Sequence, residues 1–229
     1  MQGDNIAAIV LAAGQGKRMN SDLAKVLHPV HGHALVDHVL KAVRGAGVER
    51  VVVIVGHQAA RVEEHLQGSD VSFALQAEQL GTGHAVQQAQ DVLSDWSGEI
   101  VVLCGDTPLL TAETLRRLFQ THAETQAAAT VLTAELADPT GYGRVIRGDG
   151  DAVQRIVEQK DASEEELRVR EINSGLYVFS SPDLWQALTQ VDSDNAQGEY
   201  YLTDTLEILR AAGKRVSAYR CQDPREVLG

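Results

Sequence analysis

The sequence has few cysteines, an excess of acidic over basic residues, and no apolar run long enough to cross a membrane. Its two cysteines, Cys104 and Cys221, form no Cys-x-x-Cys pair, which argues against a disulfide framework and for a reducing compartment. Its 32 acidic and 20 basic residues give a net charge of −12, so no nucleic-acid or anionic-membrane surface is expected. Because no segment approaches transmembrane length, we expect a cytoplasmic protein.

The 229 residues suffice for one domain with a substantial core. In the first half, about residues 1–125, apolar runs predict four strands, and helical patterns predict the segments between them. The strands are expected at 6–11, 51–55, 71–75 and 100–103, and the helices at 35–43, 58–66 and 83–92. Strands with continuous apolar runs that alternate with helices indicate a parallel sheet covered on both faces. We therefore predict a doubly wound, Rossmann-like α/β fold.

The second half, about residues 126–229, has a mixed pattern. Strands are expected at 128–134, 172–179 and 216–219, a hairpin over 144–157 around Gly148-Asp149-Gly150, and helices at 162–169, 182–188 and 203–212. Glycine and aspartate tolerate the backbone conformations that such a hairpin turn requires. This half is predicted to extend the sheet, making it mixed, and to form a small lobe.

A glycine-rich segment with three cations follows the first predicted strand. Gly14 and Gly16 carry no Cβ, so their main-chain N–H groups can approach an anion closely. Lys17, Arg18 and Lys25 follow them. Ligands of open α/β sheets bind beyond the carboxyl ends of the strands, so this segment is predicted to bind phosphate. The alternative is an ordinary glycine-rich connection between a strand and a helix.

Neither of two general phosphate motifs fits this segment. In a Walker loop the Gly-Lys pair is followed by Ser or Thr, whereas Gly16-Lys17 is followed by Arg18. In a dinucleotide fingerprint a third glycine would stand where this chain has Met19. Both motifs are therefore excluded.

Asp106 ends the motif Cys104-Gly105-Asp106 after the fourth predicted strand, at the same edge as the glycine-rich segment. A carboxylate in this position is suited to Mg²⁺, which binds one or two protein carboxylates and completes its shell with water and phosphate oxygens. The other interpretation is a helix cap or turn aspartate before Pro108.

A polar segment from Gln76 to Gly83 follows the third predicted strand. Amide and hydroxyl side chains offer both donors and acceptors, as recognition of a nucleobase edge requires. An ordinary polar loop with a helix cap is the alternative.

These motifs together resemble those of a known enzyme family. Leu11-Ala12-Ala13-Gly14, Gly16, Arg18-Met19 and Lys25 resemble the signature of the nucleoside-diphosphate-sugar pyrophosphorylases, which join a nucleoside triphosphate to a sugar 1-phosphate. Segments 76–85, 138–144 and 196–204, together with Glu158, Lys160 and Asn173-Ser174-Gly175, resemble the other motifs of the bacterial N-acetylglucosamine-1-phosphate uridylyltransferases. The match covers nearly the whole chain in the right order, and it implies a nucleotide-binding first half and a sugar-binding second half.

The resemblance also implies substrates, a cofactor and site residues. The implied substrates are UTP and N-acetylglucosamine 1-phosphate. The implied products are pyrophosphate and UDP-N-acetylglucosamine, which serves cell-wall synthesis, and the implied cofactor is Mg²⁺. Arg18 and Lys25 would face the phosphates as catalytic residues, and Asp106 would bind the metal. Other substrate contacts are implied for Leu11, Ala12, Ala13 and Gly14 (nucleotide), Gln76, Gly81 and Thr82 (uracil), Cys104, Gly105 and Asp106, and Gly143, Glu158 and Asn173 (sugar).

The chain departs from the family in its length. The second metal ligand of the relatives is an Asn just after the equivalent of Val227-Leu228-Gly229, and their C-terminal left-handed β-helix, which carries acetyl transfer and trimerisation, is absent here. We therefore expect a pyrophosphorylase domain alone, monomeric without the β-helix. The alternatives are another sugar-1-phosphate nucleotidylyltransferase and a non-catalytic module that binds UDP-sugar.

Overall fold

The first strand lies at the centre of the sheet because its small and aliphatic side chains pack on both faces. The computed structural model describes residues 5–16, 19, 21–148 and 152–229. In strand β1 (Ile6–Leu11), Ala7 and Ile9 face one buried core, and Ile6, Ala8 and Val10 face the other. This alternation follows from the two-residue period of a strand. It places the core on both sides of the sheet.

The strands of both halves of the chain share one nine-stranded mixed sheet. The other main strands are β4 (Arg50–Val55), β5 (Ser72–Leu75), β6 (Glu99–Cys104), β7 (Ala129–Glu135), β10 (Glu171–Ser180) and β11 (Val216–Arg220). Their order is β11-β7-β10-β6-β1-β4-β5. The hairpin of β8 (Arg144–Arg147) and β9 (Val153–Val157) joins the sheet where β8 pairs with β10, and the short strands β2 (Pro29–Val30) and β3 (His33–Ala34) form a separate ribbon.

Strand β10 is the antiparallel element that makes the sheet mixed. It pairs in antiparallel fashion with both β6 and β7, whereas β4, β5, β6 and β1 form parallel pairs and β11 runs parallel to β7. The carboxyl ends of β1, β4, β6, β7 and β11 therefore meet one edge of the sheet, together with the amino end of β10. The prediction of a doubly wound, mixed α/β sheet is confirmed.

Helices cover both faces of this sheet. They are α1 (Leu35–Gly45), α2 (Ala59–His65), α3 (Thr82–Gln87), α4 (Ala112–Thr125), α5 (Ser181–Leu188) and α6 (Asp204–Ala211). Residues of α1, α2 and α4 belong to one core, and residues of α3, α5 and α6 belong to the other. Among the described residues, no helix has the length and apolarity needed to cross a bilayer.

Two predicted helices are shorter than the sequence pattern suggests. The helix expected over 83–92 ends at Gln87; directly after it the N–H groups of residues 88–90 each donate to the carbonyl oxygen three residues earlier, at 3.0 to 3.2 Å, as in 3₁₀ turns. The helix expected over 162–169 is only the 3₁₀ turn Glu166–Arg168, with no buried residue. Ser163 and Glu166 cap each other's backbone N–H groups, but without an apolar face the turn does not extend. The predicted hairpin is present, with its Asp149-Gly150 tip outside the described residues.

Candidate active site

A cavity of about 1150 Å³ lies at the edge where the parallel strands end. Its walls come from the loop after β1, the segment after Lys25, the loop after β6 and the last residues of the chain. They include Gly14, Gln15, Gly16, Lys25, His28, Gln79, Asp106, Glu199, Leu228 and Gly229. A cavity of this size at the carboxyl ends of parallel strands is the usual ligand site of an open α/β sheet.

Lys25 and Asp106 form an ion pair in this cavity. Lys25 opens the 3₁₀ turn Lys25–Leu27, and Asp106 follows β6 by two residues. Their side chains are 26% and 20% exposed, so both are partly shielded from water and still reachable by a ligand. The pair therefore offers a cation and a carboxylate at one point of the cavity wall.

The loop after β1 is held by backbone bonds to its neighbours. Leu11 O accepts a bond from Gly105 N at 2.9 Å, Ala12 N donates to Ile54 O at 2.9 Å, and Ala13 O accepts from His57 N at 3.1 Å. A Cβ added to Gly14 would have no atom within 4 Å. The four residues Leu11 to Gly14 are thus fixed, with open space above Gly14 in which an anion can approach the backbone.

Cys104 and Gly105 join this loop to the central strands. The Cys104 thiol packs against Gly175 of β10, where a Cβ added to Gly175 would lie 3.0 Å from Sγ. Burial, with a smaller contribution from Asp106, raises the pKa of Cys104 to about 12. The thiol therefore stays protonated at neutral pH and acts as a packing group rather than a nucleophile.

The loop from Gln76 to Thr82 is held against the segment before α6. Gln76 is 3% exposed, and its amide donates to Gly81 O at 3.0 Å. Thr82 Oγ1 accepts a bond from Leu202 N at 3.0 Å. The Tyr200 backbone pairs with this loop through Tyr200 N to Leu80 O and Gly83 N to Tyr200 O, each at 2.8 Å. A polar, well-ordered loop therefore borders the cavity, which Gln79 lines directly.

Gly143, Glu158 and Asn173 come together at the start of β10 and do not line the cavity described above. Asn173 N donates to Gly143 O at 2.9 Å, and a Cβ added to Gly143 would lie 3.4 Å from both carboxylate oxygens of Glu158. Tyr177 donates its hydroxyl to Asn173 Oδ1 at 2.9 Å. Burial, followed by the charges of Asp204 and Asp161, raises the pKa of Glu158. The three predicted sugar residues thus form one polar group.

Asp204→Asn is expected to stabilise the protein at pH 8 and to lose this advantage as the pH falls towards 4. Burial, then the charges of Asp192 and Glu207, raise the pKa of Asp204 from 3.8 to about 6. A carboxyl with a raised pKa in the folded state lowers stability at pH values above about 6, where both states are ionised, and this loss disappears as the folded state binds its proton.

We expect Asp204→Asn to gain about 1 kcal/mol at pH 8, since a half-buried carboxylate keeps part of its hydration. Denaturant unfolding at pH 5 and pH 8 checks this, with the exposed Asp91→Asn as the control for a lost negative charge. An equal gain at both pH values would contradict the assignment of the effect to Asp204 ionisation.

The cavity at the carboxyl ends of the parallel strands suits a metal ion that takes few protein ligands and completes its coordination shell with oxygens of water and of a bound phosphate. Among the residues described, no three His, Cys, Asp or Glu side chains are grouped as metal ligands. Asp106 supplies one carboxylate, and a Cβ added to Gly229 would lie 3.2 Å from its Oδ1. One carboxylate in an open cavity fits Mg²⁺, which usually keeps several waters, and does not fit a closed four-ligand site.

The sequence patterns missed several residues that line the cavity. His28, Pro29 and Val30 enter through the β2–β3 ribbon, and Leu228 and Gly229 return from β11 through the 3₁₀ turn Pro224–Val227. The parallel course of β11 brings that end to the same edge, but no local sequence signal marks it. Arg18, a predicted catalytic residue, lies outside the described residues.

Comparison with known proteins identifies the family. The model of the family described as nucleotidyl transferase matches residues 7–223, which is nearly the whole chain. The chain belongs to the nucleotidyl transferase family. In this nucleotidyl transferase, the matched residues include the glycine-rich loop, Lys25 and Asp106.

Curated relatives of this nucleotidyl transferase are about twice as long. The bifunctional protein GlmU of Enterococcus faecalis is 55% identical over 226 residues, which cover 99% of this chain and 49% of that protein. The GlmU of Bacillus subtilis is 52% identical over 226 residues, again 99% of this chain and 49% of that protein. The chain therefore spans about half the length of the relatives that it matches.

A solved structure confirms the fold of this nucleotidyl transferase. The crystal structure of a UDP-glucose pyrophosphorylase complexed with UDP-glucose matches with a TM-score of 0.76 and 17% identity, covering 93% of this chain and 89% of that one. At this identity the likeness concerns the fold alone.

Proposed function

We propose that the chain transfers a uridylyl group from UTP to N-acetylglucosamine 1-phosphate, giving UDP-N-acetylglucosamine and pyrophosphate. The observation that carries the proposal is the Lys25–Asp106 ion pair in the same cavity as the glycine-rich loop. The pair supports the proposal because a cation and a carboxylate line the same cavity as Gly14, whose backbone is open to an anion. The choice of this sugar nucleotide is supported by the 55% identity to a GlmU protein over 99% of the chain.

The proposed reaction requires positioning and charge neutralisation more than proton transfer. The phosphate oxygen of the sugar 1-phosphate is already an anion, and it attacks the α-phosphorus of UTP in line. The new oxygen–phosphorus bond forms as the bond to the β-phosphate breaks, and the electron pair leaves with pyrophosphate. Lys25, together with Arg18, would stabilise the charge on the transferring and leaving groups.

Asp106 would hold Mg²⁺; the family resemblance implies that the second ligand of the relatives is an Asn just past the position of Gly229, outside this sequence. The close packing of Gly229 on Asp106 supports that position for a second ligand. When bound, the ion supplies positive charge that offsets the repulsion between the sugar phosphate and the α-phosphate.

The remaining proposed contacts are of two kinds, those to the nucleotide and those to the sugar. We assign the uracil to Gln76, Gly81 and Thr82, and the nucleotide phosphates to the backbone of Leu11–Gly14 with Cys104 and Gly105. The polar group of Gly143, Glu158 and Asn173 would bind the sugar hydroxyls and the acetamido group. Its neutral and charged oxygens at short mutual distances suit hydrogen bonding to a sugar.

Pyrophosphate release from UTP, N-acetylglucosamine 1-phosphate and Mg²⁺ is the direct test. We expect the chain to release pyrophosphate and Asp106→Asn to abolish the release, because the amide cannot replace the carboxylate charge at the metal. The matched control is Asp91→Asn, which removes an exposed carboxylate that does not line the cavity. Equal activity of Asp106→Asn and the wild type would contradict the metal role of Asp106.

A second candidate is a module that binds UDP-sugar without turnover. It is favoured by the absence of a three-ligand metal cluster in the described part of the chain. Calorimetry that shows UDP-sugar binding independent of Mg²⁺, with no pyrophosphate formed, would support this candidate. Release only by a chain extended past Gly229 would show that the second metal ligand is required.

A further inference from the structure

The turn between β4 and α2, residues 56–58, contacts both ends of the glycine-rich segment, at Ala13 and Ala24. From this turn we infer that Gln58 is a positioning residue: its side-chain amide fixes residues 22–24 and thereby sets Lys25 opposite Asp106. The inference rests on the proposed function for its catalytic consequence. Its structural part, the fixing of the backbone before Lys25, stands on the contacts themselves.

The Gln58 side chain binds two backbone groups at once. Its Oε1 accepts a hydrogen bond from Ala24 N at 3.2 Å, and its Nε2 donates to Asp22 O. These two backbone groups lie on either side of Leu23, in a segment that bends at residues 22 and 23. One amide therefore bridges residues 22 and 24, using its donor and its acceptor together.

The backbone of Gln58 takes a conformation that side chains other than glycine rarely adopt. Its φ is 55° and its ψ is 38°, in the left-handed region, at the start of α2. Holding a non-glycine residue there costs about 1 kcal/mol or more. The side chain makes no bond that caps its own helix. The strained residue thus directs its amide across to residues 22–24, and such strain is typical of functional regions.

The same turn also holds the beginning of the segment. His57 N donates to Ala13 O at 3.1 Å, and a Cβ added to Gly56 would lie 2.8 Å from Ala13 Cβ. Ala13 and Ala24, at the two ends of the glycine-rich segment, are therefore both bound to the turn of residues 56–58. Because both ends are already fixed in the folded protein, the loop loses less conformational entropy when substrate binds.

Ala24 transmits this restraint to Lys25. Ala24 is fully buried and directly precedes the 3₁₀ turn Lys25–Leu27, where no side chain caps the turn. Arg61 Nη1 donates to Gln58 Oε1 at 3.3 Å and to Asp22 O at 3.5 Å. The hydrogen bond from Ala24 N to Gln58 Oε1 therefore restrains the residue directly before Lys25.

Gln58→Gly is the test because glycine accepts the left-handed backbone while removing the amide. We expect unchanged or slightly higher thermal stability and faster hydrogen exchange of the Ala24 amide. We expect kcat for pyrophosphate release to fall by about 10- to 100-fold, with a smaller change in the KM for UTP, because a displaced charged group near the reacting phosphates is costly. In a Lys25→Ala background the same change should have little further effect.

Asp70→Gly is the matched control, since Asp70 also has a left-handed backbone, with φ of 53°, but its backbone oxygen is bonded by Arg44 and not by residues 22–24. We expect it to leave both exchange at Ala24 and kcat unchanged. Unchanged exchange of Ala24 in Gln58→Gly would overturn the structural part of the inference. Faster exchange with normal kcat would overturn the positioning role.

A wild-type chain that releases no pyrophosphate would refute the proposed function separately. In that case the exchange at Ala24 and the affinity for UTP, measured by calorimetry, decide the inference. Faster exchange with weaker UTP binding in Gln58→Gly would support it, and unchanged values would overturn it.

Discussion

Lys25→Ala is expected to reduce pyrophosphate release by about 10²-fold or more at saturating substrates. The substitution removes a cation from the cavity and leaves the Asp106 carboxylate without its ion-pair partner. The negative charge that builds up on the leaving pyrophosphate would then be stabilised less, because the Lys25 ammonium group is missing. Because a partly exposed ion pair contributes little to folding, thermal stability should change by only a few degrees.

Steady-state rates at varied UTP separate a catalytic from a binding role of Lys25. A loss mainly in kcat indicates stabilisation of the transition state, whereas a raised KM with normal kcat would show that Lys25 only binds substrate. Lys41→Ala is the control, because Lys41 is an exposed lysine on α1. We expect Lys25→Arg to restore part of the rate, since it keeps the charge but not the geometry.

Gly81→Ala is expected to lower the free energy of unfolding by about 2 to 4 kcal/mol and to weaken UTP binding at the uracil site proposed above. Gly81 has φ of 114° and ψ of 175°, a region that is essentially restricted to glycine. A Cβ there would lie 2.5 Å from Tyr200 O and 2.8 Å from Tyr200 N. The new methyl group must therefore push the 76–83 loop away from the backbone that supports it.

Gly68→Ala separates backbone strain from this steric overlap. Gly68 also has a positive φ, of 85°, but a Cβ there would have no atom within 4 Å. We expect it to lose only about 1 kcal/mol and to keep normal affinity for UTP. Denaturant unfolding and UTP calorimetry on both variants check the comparison. If both lost the same stability and affinity, the contact with Tyr200 would not be the cause.

The amino-acid sequence by itself determined the strands of the first half but only part of its helices: α4 (Ala112–Thr125) was not predicted, and the helix expected over 83–92 ends at Gln87. Continuous aliphatic runs such as residues 51–55 can be buried only between two covered faces, and the parallel sheet follows from that requirement. The sequence also determined the position of the glycine-rich loop after β1, where Gly16 has φ of 60° and an added Cβ would lie 2.9 Å from Lys25 Cβ. The helix over 162–169 was predicted wrongly because local charge and capping patterns do not report whether an apolar face exists for packing.

The tertiary structure alone decided which distant segments meet in and around the candidate site. The antiparallel course of β10 brings Asn173 beside Gly143, and the parallel course of β11 returns Gly229 to Asp106. The contact of Gln58 with Ala24 is equally invisible in either segment alone. Local periodicity reflects which face of an element is buried, whereas these contacts depend on strand order and direction, which arise from the packing of the whole chain.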